Sequence, residues 1–179
     1  MSLRVYGNRP LKTLPGQATR PTPARVRGAV FNIWQLVQGC TWLDLCAGCG
    51  AMGAEALSRG AASVTGIEQS PQACRVIHQN WQRIAHPDQT FHVIKGDVRR
   101  QLSRLRRQTF DYIYFDPPYG SDLYDAVLPL VVTLDLLTEQ GEMAVEHRQD
   151  LWQPYALEGL AIVRQKRYGT THLTFYAKP

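Results

Sequence analysis

The tetrapeptide Asp116-Pro117-Pro118-Tyr119 closes the apolar run "FDYIYF" and puts an acid, a stiff backbone and an aromatic ring side by side. That set suits the exocyclic amine of a nucleobase as a nucleophile. The lone pair of such an amine is delocalised into the ring, so the nitrogen attacks poorly. It is not protonated, so no strong base is needed to start. Acceptors on its N–H groups can pull it toward tetrahedral geometry, and the Asp116 carboxylate and Pro117 carbonyl can be two of them. The prolines fix the backbone there and preorganise both acceptors. Tyr119 offers a face for the base to stack on, a contact worth about 1–3 kcal/mol. Orientation for in-line attack carries most of the remaining rate. The proton leaves after transfer, through Asp116, and no metal is called for. The competing reading is a plain turn, because Asp-Pro and Pro-Pro are common turn formers.

A second constellation is "LDLCAGCGAMG", residues 43–53. Gly48, Gly50 and Gly53 match G-x-G-x-x-G, and Glu68 lies 20 residues past Gly48, at the end of the next apolar run. This is the arrangement of a dinucleotide site, with glycines for close backbone approach and an acid for ribose hydroxyls. Alone it does not choose between NAD, FAD and S-adenosylmethionine. Asp44 points to the last. An acid inside the first strand sits badly near a pyrophosphate at a helix N-terminus, but suits a ligand bearing an amine and a sulfonium. The plainer readings are that turn N–H groups satisfy Asp44 and that Glu68 caps the helix after Ser70. Cys46 and Cys49 also form C-x-x-C, the context of a redox dithiol, although the glycine fingerprint accounts for the same stretch. Cys40 and Cys74 form no matching pair, so a four-thiolate zinc site is poorly supported.

Both constellations need elements that bring them together. The pattern predicts strands over 41–46, 62–68, 90–96, 110–116 and 141–147, with an antiparallel pair over 156–167 and 171–177. It predicts helices from Thr22-Pro23 to about Val37, over 51–60, from Ser70-Pro71 to about Ala85, over 98–107, and from Ser121 to about Leu137, disturbed at Pro129. Strands alternating with helices give an α/β, Rossmann-like fold. Its sheet is mostly parallel, with helices on both faces and antiparallel strands at the C-terminal end. Ligands of such sheets lie beyond the carboxyl ends of the strands, where the strand order reverses. The strand before the glycine loop and the strand before Asp116 are neighbours at that reversal, so the two constellations face one crevice.

The net charge of +5 is unevenly spread. Arg4, Arg9, Lys12, Arg20, Arg25 and Arg27 precede the first acid, Asp44, and the rest of the chain is near neutral. A basic leader on a neutral body fits a polyanionic partner, nucleic acid before others. A solvated tail is the bland alternative. We divide the chain into a basic arm and helix over residues 1–39 and a catalytic domain over 40–179. No apolar run reaches the roughly 18 residues of a membrane span. The N-terminus has no apolar core of the signal-peptide kind, and four cysteines without a framework suit reduced thiols. A cytoplasmic protein, monomeric by default, is expected.

"LDLCAGCGAMGAEALSRGA" resembles the S-adenosylmethionine loop of class I methyltransferases, and "DPPY" resembles their amino-methylating motif. Taken with "RPTPARVRGAVFNIW" (20–34), they resemble the bacterial 16S rRNA guanine-N2 methyltransferases of the RsmD type over nearly the whole chain. The resemblance implies methyl transfer to the N2 amine of a guanine in 16S rRNA, within the small ribosomal subunit. It also implies that Asp44, Ala47, Gly48, Gly50, Glu68, Asp97 and Val98 hold S-adenosylmethionine, with Asp97 on the adenine amino group. Asp116, Pro117, Pro118 and Tyr119 would hold the guanine. Arg4, Arg9, Lys12, Arg20, Thr22, Arg25 and Arg27 would face the RNA. No metal site is implied. The chain departs from the family pattern at Cys46 and Cys49, usually Phe and Ser, and at Gly28, usually an acid. The competing enzymes are an adenine-N6 methyltransferase of DNA or RNA, which lacks the basic leader, and a nicotinamide oxidoreductase, which has no use for the Asp-Pro-Pro-Tyr turn. A non-catalytic RNA-binding protein would not need both constellations intact. Arg99, Arg100, Arg104, Arg106 and Arg107 read as a solvated face, and His147 as a packing residue.

Overall fold

The computed structural model describes residues 3–14, 24–35 and 37–179. Arg20, Thr22 and the expected helix start at Thr22-Pro23 lie outside them. A short hairpin of β1 (Arg4–Val5) and β2 (Arg9–Pro10) leads into α1 (Ala24–Ile33). Then strands and helices alternate: β3 (Thr41–Leu45), α2 (Ala51–Ser58), β4 (Ser63–Glu68), α3 (Pro71–Ile84), β5 (Thr90–Lys95), α4 (Val98–Gln101), β6 (Phe110–Phe115) and α5 (Leu123–Thr133). The chain ends in β7 (Leu137–His147), β8 (Ala161–Tyr168) and β9 (Thr171–Ala177). Seven of the described strands form one sheet, ordered β5-β4-β3-β6-β7-β9-β8. The first five run parallel, and β9 is antiparallel to both β7 and β8. β3 and β6 are neighbours, as the alternation predicts, and the strand order reverses between them. Among the described residues no helix is long and apolar enough to cross a membrane.

Each face of the sheet buries its own cluster. One holds Trp42, Val64, Tyr114 and Phe175 under α1, α2 and α3. The other holds Leu43, Ile113, Phe115 and Met143 under α5 and the turn after α4. On the first face, Phe31 of α1 stacks on Trp42 at 5.0 Å between ring centres, and Trp34 meets Trp42 edge-on at 5.3 Å. Beneath α2 the indole of Trp81 occupies a slot floored by glycines. A Cβ at Gly53, Gly66 or Gly50 would come within 2.3, 2.5 and 2.8 Å of its ring. Its Nε1 donates to the Gly50 carbonyl at 2.8 Å. Two of the fingerprint glycines therefore make room for a tryptophan.

The arm is bound to this body. Glu55, buried in α2, accepts from Arg27 Nε at 3.1 Å, from the Tyr6 backbone N–H at 3.1 Å and from Arg59 Nε at 2.9 Å. Arg27 Nη2 also donates to the Arg4 carbonyl at 2.5 Å. This corrects the expectation that Arg27 faces outward to RNA: it is 6% exposed and ties α1 and the hairpin to α2. Asn80 of α3 makes a second tie. Its Oδ1 accepts from the Lys12 N–H at 2.8 Å, and its Nδ2 donates to the Lys12 and Cys49 carbonyls, each at 3.0 Å.

Other differences are local. The helix expected over 98–107 is one α-turn followed by a 3-10 turn over Leu102–Leu105. α5 ends at Thr133, because Asp135 takes a left-handed φ of 52° and β7 begins at Leu137, earlier than the expected 141. Pro129 sits inside α5 without ending it. β8 starts at Ala161, after an irregular stretch bridged at Leu157 and Leu160.

Candidate active site

Leu45 pairs with Phe115, and Phe115 with Val145. The next residues, Cys46 and Asp116, therefore leave the sheet side by side at its carboxyl edge, level with Glu146, which stays in β7 paired with Leu173 of β9. Glu68 ends β4, beside Lys95 at the end of β5, and Asp97 follows two residues later. The loop after β3 turns back sharply, with Cys46, Gly48 and Gly50 all at positive φ (63°, 58° and 74°). For Cys46 this is an uncommon conformation.

Asp44 is buried, and its Oδ2 accepts from the Gly53 N–H at 3.1 Å. Burial pushes its pKa up to about 7 against the pull of that hydrogen bond, with Glu68 adding to the rise. Glu68 braces the loop: one oxygen accepts from the Gly48 N–H and the other from the Ser70 N–H, both at 2.8 Å. The helix-capping contact weighed for Glu68 is thus present, together with a contact to the glycine loop. Ser70 itself caps α3 by accepting from the Ala73 N–H. Asp97 caps α4 through the Arg99 N–H at 2.9 Å and pairs with the Arg99 side chain at 2.7 Å, which holds its carboxyl below the usual range.

Four carboxylates converge here. After burial, the fields of Glu68, Asp116, Asp44 and Asp97 together push the Cys46 thiol far up. Cys49 is raised too, chiefly by burial, so this C-x-x-C lacks the low-pKa thiolate that dithiol chemistry uses. A phosphate would meet like charge in such a pocket. A ligand with an ammonium and a sulfonium would meet opposite charge, and open space above Gly48, where a Cβ would touch nothing within 4 Å, lets it approach the loop. The residues present fit S-adenosylmethionine on that ground.

At the other side of the crevice, the Asp116 N–H lies 3.5 Å from the Leu45 carbonyl, which holds the Asp-Pro-Pro-Tyr turn against the end of β3. Pro117 is buried, Pro118 is exposed and the Tyr119 ring is 39% exposed. The Tyr119 hydroxyl donates to Glu146 Oε1 at 2.8 Å. Glu146 is 2% exposed and also accepts from the Tyr114 hydroxyl. Burial raises its pKa, and the two phenols oppose that rise. Glu146 is the residue that sequence reasoning missed. The signal was there: like Asp44, it is an acid just before the end of an apolar strand. His147, beside it, is held neutral, with its pKa lowered to about 4 by burial and by His172.

The basic residues are dispersed. Arg4 Nη1 donates to the Asn8 carbonyl, Arg9 Nη2 to the Arg83 carbonyl and Lys12 Nζ to Gln79, all at exposed positions. Arg25 is exposed on α1. Ala47 is buried, its N–H bonded to the Ile67 carbonyl, and Val98 is buried at the start of α4.

A protein-family model described as "Conserved hypothetical protein 95" matches residues 4–177. YlbH of Bacillus subtilis, named as a candidate rRNA methyltransferase, is 33% identical over 175 residues, covering 95% of this chain and 94% of its own. The ribosomal RNA small subunit methyltransferase D of Haemophilus influenzae is 27% identical over 176 residues, covering 96% and 90%. A solved structure of a candidate methyltransferase from Escherichia coli, yhhF, superposes with a TM-score of 0.83 at 26% identity, covering 99% of this chain and 98% of that one. With the crevice at the carboxyl ends of β3 and β6, these matches place the chain in the conserved hypothetical protein 95 family, the RsmD family of class I methyltransferases.

Proposed function

We propose that this protein transfers a methyl group from S-adenosylmethionine to the N2 amine of a guanine in 16S rRNA, within the small ribosomal subunit. The observation that carries the reading is the meeting of the acid-lined loop after β3 with the Asp-Pro-Pro-Tyr turn after β6. S-adenosylmethionine supplies an electrophilic methyl group. Asp44, Ala47, Gly48, Gly50, Glu68, Asp97 and Val98 hold it against the strand ends. Asp116 and the Pro117 carbonyl accept from the guanine amine and aim its lone pair. Tyr119, anchored by Glu146, gives the base a fixed face. Arg4, Arg9, Lys12 and Arg25, on an arm and helix spanning residues 1–39, meet RNA phosphates, and the catalytic domain spans 40–179. The enzyme works as a monomer in the cytoplasm. An unstacked or flipped guanine is required, which costs a few kcal/mol and less in a loop.

Methyl-labelled S-adenosylmethionine, offered with unmethylated small subunits, naked rRNA and DNA, tests this by nucleoside analysis. Label in N2-methylguanosine is the expected result. Label in N6-methyladenosine replaces the substrate, and no label on any of them refutes the reading.

Asp44 gives the site a pH signature. A cationic ligand favours the ionised carboxylate, so binding below about pH 7 must expel a proton. Donor affinity should rise up to about tenfold per pH unit toward pH 7 and level off above it. Asp44→Asn should flatten that profile in calorimetric titrations. The same shift acts on folding with the opposite sign. The raised folded-state pKa means that stability falls as pH rises from the ordinary carboxyl value of 3.8 toward about 7. The ligand-free Asn variant should therefore melt above wild type at pH 8 and level with it below about pH 4. Parallel pH profiles for the two proteins would dismiss the assignment.

A further inference from the structure

The segment between β5 and β6 carries charge that the site described above does not use. Residues 98–110 hold five arginines, Arg99, Arg100, Arg104, Arg106 and Arg107, and no acid. Val98, Leu102 and Leu105 recur at helical spacing and are buried in the cluster on the second face of the sheet. Anchored through them, the segment turns its other side to solvent, and all five arginines are exposed. Arg99 is paired, with Asp97 at 2.7 Å and with Asp122 at 3.0 Å. No ion pair among the described residues reaches Arg100, Arg104, Arg106 or Arg107.

The strip has a starting point at the crevice. Asp97 caps α4 on the donor side, and Asp122 lies just past the Asp-Pro-Pro-Tyr turn, at the start of α5. Arg99 joins the two, so the strip begins at the crevice rim and follows the chain away from it, toward β6. Four carboxylates converge inside the crevice. They repel the phosphates of any RNA whose base reaches Tyr119, so such a strand needs cations beside the acids. The arm supplies some on the first face of the sheet, where Arg9 bonds the Arg83 carbonyl and Lys12 bonds Gln79, both on α3. The strip supplies others on the opposite face, next to α5. It is arginine throughout, and a guanidinium fork matches phosphate oxygens better than the point charge of lysine.

We propose that Arg100, Arg104, Arg106 and Arg107 form a track for the phosphate backbone of the RNA, leading from the crevice rim along the sheet face opposite the arm. The inference rests on the rRNA reading above and adds to it a second contact, so that the RNA is held from both faces of the sheet. An acidic protein segment is the other polyanion that suits such a strip. Continuity with the crevice favours the strand whose base is delivered there.

The test is the logarithmic salt dependence of affinity for naked, unmethylated 16S rRNA. Arg100→Gln/Arg104→Gln removes charge near the rim, and Arg106→Gln/Arg107→Gln removes it further out. Each pair should flatten the slope by roughly 1.4–1.8, the loss of two phosphate contacts. In steady-state methylation KM for the RNA should rise, while kcat and the donor Kd hold. Arg100→Lys/Arg104→Lys keeps the charge and should keep most of the slope. Lys166→Gln/Arg167→Gln takes the same charge from exposed positions of β8, at the opposite edge of the sheet from β5, and should leave the slope nearly unchanged. Equal flattening by that pair would mean bulk charge and no track. An unchanged slope in both arginine pairs would mean a solvated face. Either result overturns the proposal and leaves the parent reading standing. Weaker binding to assembled small subunits with affinity for naked rRNA intact overturns it too, by assigning the strip to a ribosomal protein. A wild-type enzyme that forms no N2-methylguanosine, while the arginine pairs still flatten the slope, refutes the parent reading and supports the track.

Discussion

Asp116→Ala is expected to lower kcat by about 10²–10⁴-fold, the range for losing a preorganised acceptor or proton-accepting group. Binding of S-adenosylmethionine should be largely retained. The carboxylate follows β6 at the junction of the two halves of the crevice, and its backbone N–H already meets the end of β3. Deleting the side chain leaves the prolines and Tyr119 in place, so the base still stacks but its amine is no longer aimed. Asp116→Asn separates the two roles of the acid. An amide oxygen still accepts from the amine, so Asn should recover part of the rate if orientation dominates. It should be as slow as Ala if the departing proton needs a carboxylate. Single-turnover methylation with calorimetric donor binding reads both quantities. Joint loss of binding and rate would make Asp116 part of the donor pocket, where it already contributes to the field on Cys46.

The largest expected effect on stability is at Gly53. A Cβ there would lie 2.3 Å from Trp81 Cζ2, 2.8 Å from Cε2 and 2.9 Å from Val64 Cγ1. Trp81 is fully buried and anchored through its Nε1, so it has nowhere to go. Gly53→Ala should cost about 3 kcal/mol, the upper end for overpacking. For a chain of this size that lowers Tm by roughly 6–12 °C. Trp81→Phe in the same chain should return part of the loss by shortening the ring. Gly28→Ala is the control, because a Cβ at Gly28 meets nothing within 4 Å. There alanine should gain up to about 1 kcal/mol from helix propensity. Thermal denaturation of the four proteins checks this, and a Gly53→Ala protein as stable as wild type would remove the steric account.

The two glycine substitutions show where sequence reasoning reaches. Apolar runs located β3 to β6 to within a residue or so: β3, β4 and β6 are buried largely on both faces and read as nearly continuous apolar segments, whereas β5 is a half-exposed edge strand. The neighbour relation of β3 and β6, and hence the crevice, followed from the strand order. Side-chain partnership did not follow. Arg27 reads as one more cation on a basic arm. Only the fold shows that Glu55, an acid on the otherwise apolar α2, lies opposite it. Likewise G-x-G-x-x-G reads as a ligand loop, whereas Trp81, 28 residues past Gly53, shows that part of the pattern serves packing. Glu146 was passed over because its partners, Tyr114 and Tyr119, come from another strand and its loop. The ends of α5 and α4 were misplaced because a left-handed residue and a 3-10 turn leave little trace in periodicity.

The Asn80 side chain has a thermodynamic consequence. One amide holds both main-chain atoms of Lys12 and the carbonyl of Cys49. The arm and the glycine loop thus meet on one side chain, so a shift of the Asn80 amide disturbs both. A ligand that steadies the loop raises the population of docked arm. By reciprocity, a polyanion that prefers the docked arm raises affinity at the loop by the same factor. Where RNA prefers the docked arm and the donor steadies the loop, their affinities would be coupled through Asn80, whichever arrives first.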